Sequence, residues 1–466
     1  MNAGVVIIGA GPAGLTAAYQ LTKAGLQSVV LEKDAVVGGL SRTVVYKGYR
    51  FDIGGHRFFT KVPAVEAMWR EVLGESDFLR RSRLSRIYYN GRFFYYPLRP
   101  SNALIGLGLW NSVLILGSYF KSQFFPQHPE VTFEQWVSNR FGERLYRTFF
   151  KAYTEKVWGI PCSEISAEWA AQRIRGLSLF GALKNALLRQ RSADKSRGVK
   201  TLIDAFDYPR LGPGQMWEAV AARVPEVRLN AEVKTIFWSG NRVEAVETCD
   251  GGCFGGAHFI SSMPLRELIL RLSPAVPPAV RAAAEGLKYR DFLTVALILS
   301  RAEVFPDNWI YIHAPEVRMG RIQNFKNWSP DMVPDSHTTC LGLEYFCFAG
   351  DALWTMEDGE LIALGKRELE MLGLARAADV VDGCVVRMPG AYPVYDASYG
   401  ERLRVIRGFL DGLRNLQVVG RNGMHRYNNQ DHSMLTAMLA VENILGADHD
   451  LWSANEEREY IEEIRR

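Results

Sequence analysis

Residues 4–34 read GVVIIGAGPAGLTAAYQLTKAGLQSVVLEKD. The pattern predicts a short apolar strand at residues 5–8, a helix from about 12 to 23, and a second apolar strand at 28–31. The second strand ends at a carboxylate, Glu32. A strand, a helix and a further strand joined by a glycine-rich turn begin a Rossmann-type sheet, so this stretch predicts the α/β fold class.

Three glycines in GxGxxG spacing mark the turn of this unit: Gly9, Gly11 and Gly14. The first permits the tight turn, the second lets backbone approach a pyrophosphate, and the third lets helix and strand pack closely. The helix N-terminus then presents unpaired N–H groups and a positive dipole end to the phosphates. Glu32 lies where a carboxylate accepts hydrogen bonds from an adenosine ribose. The unit therefore predicts a bound dinucleotide rather than a purely structural glycine turn.

Two further glycine pairs favour FAD over NAD. The segment VVGGLSRT carries Gly38 and Gly39 ahead of Arg42, and YRFDIGGHRFF carries Gly54 and Gly55. Such pairs let backbone approach a flat ring or a phosphate because no Cβ stands in the way. Their distances from the fingerprint resemble the FAD-binding pattern of the amine oxidase and protoporphyrinogen oxidase clan. We therefore predict non-covalent FAD.

The C-terminal stretch LQVVGRNGMHRYNNQDHSMLTAMLAVENILG, residues 416–446, predicts a strand, a polar loop and a helix. The strand would join the nucleotide-binding sheet, and Asp431 or Ser433 would cap a helix beginning near Met434. The dipole of that helix would stabilise negative charge on the pyrimidine edge of a reduced flavin. A polar surface loop is the alternative interpretation.

Short motifs along most of the chain resemble the UDP-galactopyranose mutases, especially the eukaryotic kind. They are GRNGMHRYNNQDHSM (420–434), FDIGGHRFF (51–59), KVWGIPCSEISAEW (156–169), NWIYIHAP (308–315), RIQNFKNWSP (321–330) and GAYPVYD (390–396). The resemblance implies interconversion of the pyranose and furanose rings of an activated sugar through N5 of reduced flavin, without net oxidation. The sugar carrier would be a nucleotide or a lipid.

Roles for individual residues follow from the same motif matches. The resemblance implies catalytic roles for His56, Arg321, Tyr392 and Tyr427. It and the fingerprint imply cofactor contacts from Gly9, Gly11, Gly14, Glu32, Gly39, Arg42, Gly54, Gly55, Val233, Gly420, Arg421, Gln430, Asp431 and Ser433. It implies substrate contacts from Trp158, Asp207, Trp309, Tyr311 and Asn327. No metal site is predicted. Core packing is the alternative role for the aromatic residues.

Asp207 departs from the family pattern. The segment AFDYPRLGPGQMW, residues 205–217, places this carboxylate where the family carries a second diphosphate-binding arginine. A carboxylate there would repel a diphosphate unless it were turned away or paired with Arg210 or another base. This departure keeps a second class of function open, a flavin oxidase or dehydrogenase of the amine oxidase clan.

Composition limits the choice of partners. The net charge of +4 on 466 residues is small, and no nucleic-acid-binding motif is present, so no nucleic acid is predicted. Residues 103–120 contain no charged side chain, and basic segments lie at 80–86 and 173–200. These features predict peripheral contact with an anionic membrane, with a solvated basic face or a homodimer interface as alternatives. The cysteine spacings and the N-terminus predict a cytoplasmic protein, peripheral to the inner face of the membrane if that contact forms.

The predicted organisation is a discontinuous FAD-binding domain with two inserted subdomains. The FAD-binding domain comprises 1–64, 198–264 and 386–448, the helical subdomain 101–197, the antiparallel-sheet substrate subdomain 65–100 and 265–385, and a charged helix 449–466. The alternating pattern of residues 227–248 around a Gly-Asn turn predicts a hairpin.

Overall fold

The first strand lies inside an eight-stranded sheet of the computed structural model, which describes residues 2–96, 102, 106–167, 169–170 and 205–455. The strand order is Leu272–Ser273, Val233–Ser239, Arg242–Thr248, Cys253–Ser261, Asn2–Ile8, Ser28–Leu31 and Val227–Arg228, with Leu416–Val418 also paired to Cys253–Ser261. The strands from Cys253–Ser261 onward pair in parallel, and the hairpin predicted at 227–248 forms from Val233–Ser239 and Arg242–Thr248. The predicted α/β fold class is confirmed.

Helices Pro12–Lys23 and Gln430–Ile444 pack in the core of this sheet. Gly14 permits the close approach of the first helix to the first strand, because a Cβ on this residue would lie 1.8 Å from the carbonyl oxygen of Gly9. Both helices therefore begin at the edge of the sheet where Asn2–Ile8 and Leu416–Val418 end. Two polar helix N-termini meet at that edge.

A second, seven-stranded sheet packs beside the first and is antiparallel except at one pair. Its order is Val380–Pro393, Tyr289–Leu299, Thr339–Cys347, Arg321–Asn324, Trp309–Ile312, Ser85–Tyr89 and Arg92–Tyr95. The helix Asp358–Met371 covers one face through an apolar cluster. The register places Arg321 opposite Glu344, and that pairing shapes the site described below.

The remaining elements connect and flank the two sheets. Helical segments from residue 109 to 158 are Leu109–Phe124, Phe133–Phe141, Glu143–Leu145, the π-helical Tyr146–Lys151 and Ala152–Trp158. Further helices are Pro63–Val72, Gly214–Ala221, Leu265–Leu270, Pro278–Glu285, Phe325–Trp328, Ala352–Thr355, Tyr399–Leu410 and Gly420–Gly423. Two small antiparallel pairs are Thr43–Tyr46 with Tyr49–Asp52, and Phe78–Ser82 with Ala205–Pro209. No helix among the described residues is long and apolar enough to cross a bilayer.

The structure differs from three details of the sequence prediction. The nucleotide-binding core continues past residue 264, because Leu272–Ser273 pairs with its sheet and residues to Leu287 pack in its core. The strand Val380–Pro393 crosses the predicted boundary at 386, since Tyr289–Leu299 pairs along its length. The C-terminal helix begins at Gln430 after Asn429, and no side chain caps it. Neither Asp431 nor Ser433 is therefore the cap.

The basic segments were predicted to form one face. Arg80 instead pairs with Asp207 at 3.2 Å, and Arg86 pairs with Asp307 at 2.6 Å. These two arginines are therefore committed to internal carboxylates. The predicted basic stretch at 173–200, the charged tail from 456 and residues 103–105 lie outside the described residues.

His425 links the fold to pH. Its side chain is buried between the rings of Tyr289 and Tyr399, at 4.6 and 5.8 Å, and its φ of 48° is left-handed. Burial lowers its pKa to about 3. The folded state therefore keeps this ring neutral while the unfolded chain protonates it below about pH 6.5, so its contribution to stability is lost as pH falls through that window.

We expect His425→Asn to flatten the pH dependence of stability. Asparagine tolerates the left-handed backbone and does not titrate. The slope of the unfolding free energy between pH 6 and 4 should fall by about 1.4 kcal/mol per pH unit. Urea unfolding at several pH values measures it, and a variant with the wild-type slope would show that His425 does not carry this linkage.

Candidate functional site

A groove of about 360 Å³ runs along the sheet edge where the glycine-rich turn lies. Eleven of the predicted cofactor or catalytic residues line it: Gly9, Gly11, Glu32, Gly39, Arg42, His56, Val233, Gly420, Arg421, Gln430 and Ser433. Gly14 lies behind it, packed on the first strand. The elements at both ends of the chain therefore form one groove, as the strand–helix patterns predict.

The glycines keep the floor of the groove open. A Cβ on Gly39, whose φ is 53°, would lie 3.2 Å from the Cα of Gly11. A Cβ on Gly420, whose φ is 80°, would lie 3.0 Å from the Cβ of Ala13. The backbone of three separate loops meets here without side chains, at the N-terminus of helix Pro12–Lys23. Such a cradle fits a pyrophosphate.

Glu32 closes one end of the groove. Its carboxylate accepts hydrogen bonds from the backbone N–H groups of Ala10 and Asp34, at 2.6 and 2.9 Å. Burial raises its pKa, and the two backbone donors oppose that shift. Arg42 pairs with Asp34 at 2.7 Å beside it. These contacts fix the carboxylate at the end of the second strand, where a ribose is expected.

Two buried side chains in the groove carry polar atoms without a hydrogen-bond partner among the described residues. They are Oδ1 of Asn422 and Oε1 of Gln430. The opposite ends of both amides are already used, because Asn422 donates to the Gly390 carbonyl and Gln430 donates to the Arg57 carbonyl. Buried acceptors without donors are costly. They fit a ligand that presents N–H groups, as an isoalloxazine ring does.

A second cavity of about 110 Å³ adjoins the groove. It is lined by Leu40, Ile53, Gly54, Gly55, His56, Arg57, Phe59, Phe292, Arg321, Ala391, Tyr392, Arg421, Tyr427, Asn429, Gln430 and Asp431. His56, Arg421 and Gln430 line both spaces. All four predicted catalytic residues are therefore brought together beside the groove, and His56 lies at the junction.

His56 is an uncharged imidazole at this junction. Burial and the neighbouring guanidinium groups of Arg421 and Arg321 lower its pKa to about 3. It can therefore donate or accept a hydrogen bond at neutral pH but carries no charge. The positive charge of the cavity comes from its arginines.

Two tyrosines form one wall of the small cavity. The rings of Tyr392 and Tyr427 stack with centroids 5.6 Å apart, and Trp158 meets their other side at 6.4 and 6.3 Å. The guanidinium of Arg421 lies 5.3 and 4.8 Å from the two ring centroids. Burial and the nearby Tyr427 raise the pKa of Tyr392 to about 12. Both hydroxyls therefore remain hydrogen-bond donors at neutral pH.

Arg321 is held from behind by a carboxylate that sequence reasoning missed. Its Nε donates to Glu344 on the neighbouring strand, and Gln323 donates to the other oxygen of Glu344 at 2.8 Å. Glu344 is completely buried. A lone acid inside the apolar strand CLGLEYFCF is unusual, and that was the available signal. Arg57, also missed, directly follows His56 in sequence.

Asp207 does not line either cavity. Its carboxylate pairs with Arg70 and Arg80, while Arg210 binds Asp331 instead. The predicted clash with a diphosphate therefore does not arise, and the predicted pairing with Arg210 is wrong. The cause is the strand pair Phe78–Ser82 with Ala205–Pro209, which places Arg80 directly opposite Asp207.

The other predicted substrate residues lie outside the lining of the small cavity. Trp158 is buried in the core behind the tyrosines. Trp309 is also buried and stacks on Trp328 at 5.3 Å. Tyr311 meets Trp309 edge to face. Asn327 donates to the carbonyls of residues 305 and 307 and so fixes a loop. Packing accounts for the contacts that these four residues make in the structure.

The groove and cavity define a dinucleotide-binding protein whose ligand ends beside a polar chamber. The model of the flavin containing amine oxidoreductase family matches residues 12–422, so the chain belongs to that family. A probable flavin-containing monoamine oxidase A from Dictyostelium discoideum is 25% identical over 292 residues, which cover 59% of this chain and 60% of that protein. A putative monoamine oxidase AofH from Mycobacterium tuberculosis is 26% identical, covering 60% and 61%.

Solved structures share the whole fold. Reduced UDP-galactopyranose mutase has a TM-score of 0.84 at 22% identity, covering 98% of both chains. A protoporphyrinogen oxidase-like protein from Exiguobacterium has a TM-score of 0.68 at 18% identity, covering 95% and 98%. The chain is therefore a FAD-dependent enzyme of the amine oxidase family, and the predicted cofactor is confirmed.

We expect Gly11→Val to abolish FAD loading while the protein still folds. Gly11 has an extended backbone, with a φ of −79°, and a Cβ there would meet only the Cα of Gly39, at 3.8 Å. The added side chain therefore fits the protein but occupies the space of the pyrophosphate. Flavin absorbance of the purified variant measures loading.

The matched control is Gly359→Val on helix Asp358–Met371, where nothing lies within 4 Å of an added Cβ. It should load FAD like the wild type. Full FAD occupancy in the Gly11→Val variant would contradict the assignment of this groove.

Proposed function

We propose that the enzyme acts on an activated sugar whose carrier, a nucleotide or a lipid, is joined through a diphosphate, and that it interconverts the pyranose and furanose rings of that sugar. The observation that carries this proposal is the charge of the small cavity. Arg57, Arg321 and Arg421 line it against one carboxylate, Asp431, and two tyrosine hydroxyls face the same space.

A cavity with this charge favours an anion. Guanidinium groups bind diphosphate oxygens in pairs through planar N–H donors, and partial burial strengthens that attraction. The same three arginines would repel the ammonium group of an amine substrate. His56 adds no charge because its pKa is lowered to about 3. The electrostatics therefore argue against an amine and for a phosphorylated substrate.

The residues of the cavity suggest separate tasks. Arg321, oriented by Glu344, would pair with the diphosphate, and the Tyr392 and Tyr427 hydroxyls would donate to its other oxygens. His56 would hydrogen-bond at the edge of the ring system in the groove. When bound and reduced, the flavin supplies a nucleophilic nitrogen toward the anomeric carbon of the sugar. The protein would position the sugar and balance the charge of the departing diphosphate.

The likeness to reduced UDP-galactopyranose mutase supports this proposal, although at 22% identity it carries the fold alone. The names of the curated relatives favour a second candidate, a flavin oxidase or dehydrogenase acting on a substrate without a diphosphate. The two candidates differ in one measurable property, which is nucleotide affinity. An oxidase of this second kind has no reason to bind a nucleoside diphosphate.

We expect the double variant R321Q/E344Q to lose nucleotide affinity by about 2–5 kcal/mol. The double change removes the cation without leaving Glu344 buried and unpaired, which would itself cost about 3–5 kcal/mol of stability. Calorimetric titration of UDP, dTDP and GDP into oxidised and dithionite-reduced protein measures the effect.

The single variant Glu344→Gln is the control. It keeps the Arg321 guanidinium while neutralising its partner, so nucleotide binding should be retained or strengthened. Flavin absorbance confirms that both variants carry FAD. If the wild type binds none of the three nucleotides in either redox state, the nucleotide-sugar form of the proposal fails.

A further inference from the structure

We propose that one face of the helix Leu109–Phe124 docks on an anionic lipid surface. The face, called here the aromatic ridge, consists of Trp110, Val113, Phe120, Phe124 and Phe125. It lies outside the groove and the small cavity, so the inference is independent of the proposed function. The peripheral membrane contact predicted from residues 103–120 here becomes a defined surface.

The ridge is a continuous exposed stripe. Its members recur at spacings of three, seven, four and one residues, which keep them on the same side of an α-helix. The exposed fractions are 74% for Trp110, 51% for Val113, 53% for Phe120, and 76% for both Phe124 and Phe125. The opposite side of the helix is buried through Ser112, Ile115 and Tyr119. The helix therefore has one face in the protein and one apolar face in solvent.

Exposure on this scale is unusual for a surface that meets only water. Taking about 200 Å² for a whole aromatic side chain, the four rings expose on the order of 550 Å². The largest apolar patch on a typical monomer is about 300–600 Å² and is often functional. Four aromatic rings on one helix reach that limit without counting Val113. The ridge is therefore a candidate for contact with an apolar phase.

Cations surround the ridge. Lys121 is exposed on the helix itself. Arg144 donates to the side chain of Asn111 at 2.8 Å, and its backbone N–H donates to Ser118 at 3.0 Å, so it lies alongside the helix. Arg92 donates to the Gly106 carbonyl at 2.7 Å, next to the start of the helix. An apolar stripe flanked by cations complements a bilayer that carries anionic headgroups.

The neighbouring carboxylates do not cancel this charge. Glu130 pairs with Arg140 at 2.8 Å, and Glu143 pairs with Arg147. Lys121 and Arg144 therefore keep a net positive field along the ridge. A neutral apolar partner would not need these cations, whereas anionic lipid would use them.

The geometry fits insertion into the interface rather than spanning. The helix has 16 residues, which correspond to about 24 Å, and its far side is packed on the protein. Tryptophan and phenylalanine prefer the boundary between headgroups and acyl chains. Lys121 can extend its amine toward headgroups while its methylenes stay beside the rings.

A second copy of the chain is the competing occupant. A stable interface buries about 800 Å² on each partner, usually over matched surfaces. The ridge exposes less than this and is the convex side of a single helix. A bilayer accepts a convex ridge without shape complementarity, so lipid is the better match.

The test is sedimentation of the FAD-loaded protein with vesicles of phosphatidylcholine alone or with about one-third phosphatidylserine. We expect binding to the anionic vesicles only, and weaker binding at high salt. The variant Phe124→Ser/Phe125→Ser should reduce the partition coefficient about tenfold or more. Each of Lys121→Ser and Arg144→Gln should reduce it about fivefold.

The matched control is Met371→Ser/Leu445→Ser, which removes two exposed apolar side chains elsewhere on the surface. It should bind vesicles like the wild type, and flavin absorbance should be unchanged in every variant. Equal sedimentation with neutral and anionic vesicles overturns the inference. A dimer in light scattering that Phe124→Ser/Phe125→Ser dissociates also overturns it, because the ridge would then be a contact between copies.

Discussion

The structure depends on the close approach of its first helix to its first strand. Gly14 allows a separation that no side chain permits, because a Cβ would lie 1.8 Å from the Gly9 carbonyl oxygen. That approach fixes the N-terminus of the helix at the sheet edge. The C-terminal strand Leu416–Val418 joins the same sheet through Cys253–Ser261 and brings the second helix N-terminus to the same edge. The FAD groove forms between these elements.

The chemistry depends on a second constraint, the pairing of Arg321 with Glu344. A buried cation needs a partner, and the antiparallel register supplies one on the adjacent strand. Glu344 holds the guanidinium from behind, so its remaining N–H groups can serve a ligand in the cavity. Because His56 is neutral and Asp207 is paired elsewhere, the arginines determine the character of the chamber. This character is what separates a phosphorylated substrate from an amine.

Sequence reasoning succeeded where the signal was local. The fingerprint at residues 4–34, the hairpin around the Gly-Asn turn and the final strand all depend on short patterns, and the structure contains each of them. The groove residues followed because glycine pairs and the end of the second strand mark backbone geometry directly. The helix after the polar loop was predicted, but its start was placed four residues late because a capping residue was expected and none is used.

The missed features depend on contacts between distant parts of the chain. Asp207 finds Arg70 and Arg80 through a strand pair that joins residues more than 120 positions apart. Glu344 acquires its meaning only from the register opposite Arg321. Trp309 and Asn327 were expected at the substrate, whereas their contacts in the structure are packing and loop hydrogen bonds. Side-chain partners of this kind cannot be inferred from spacing.

The central claim is that the chamber handles a diphosphate-linked sugar without net oxidation. The most direct measurement is anaerobic incubation of dithionite-reduced protein with nucleotide hexopyranoses, followed by NMR of the sugar ring and by flavin absorbance. The account predicts that the pyranose and furanose forms interconvert only while the flavin is reduced, with no reducing equivalents consumed. Reduction of the oxidised flavin by a primary amine, with peroxide formed in air and every nucleotide sugar left unchanged, would contradict it.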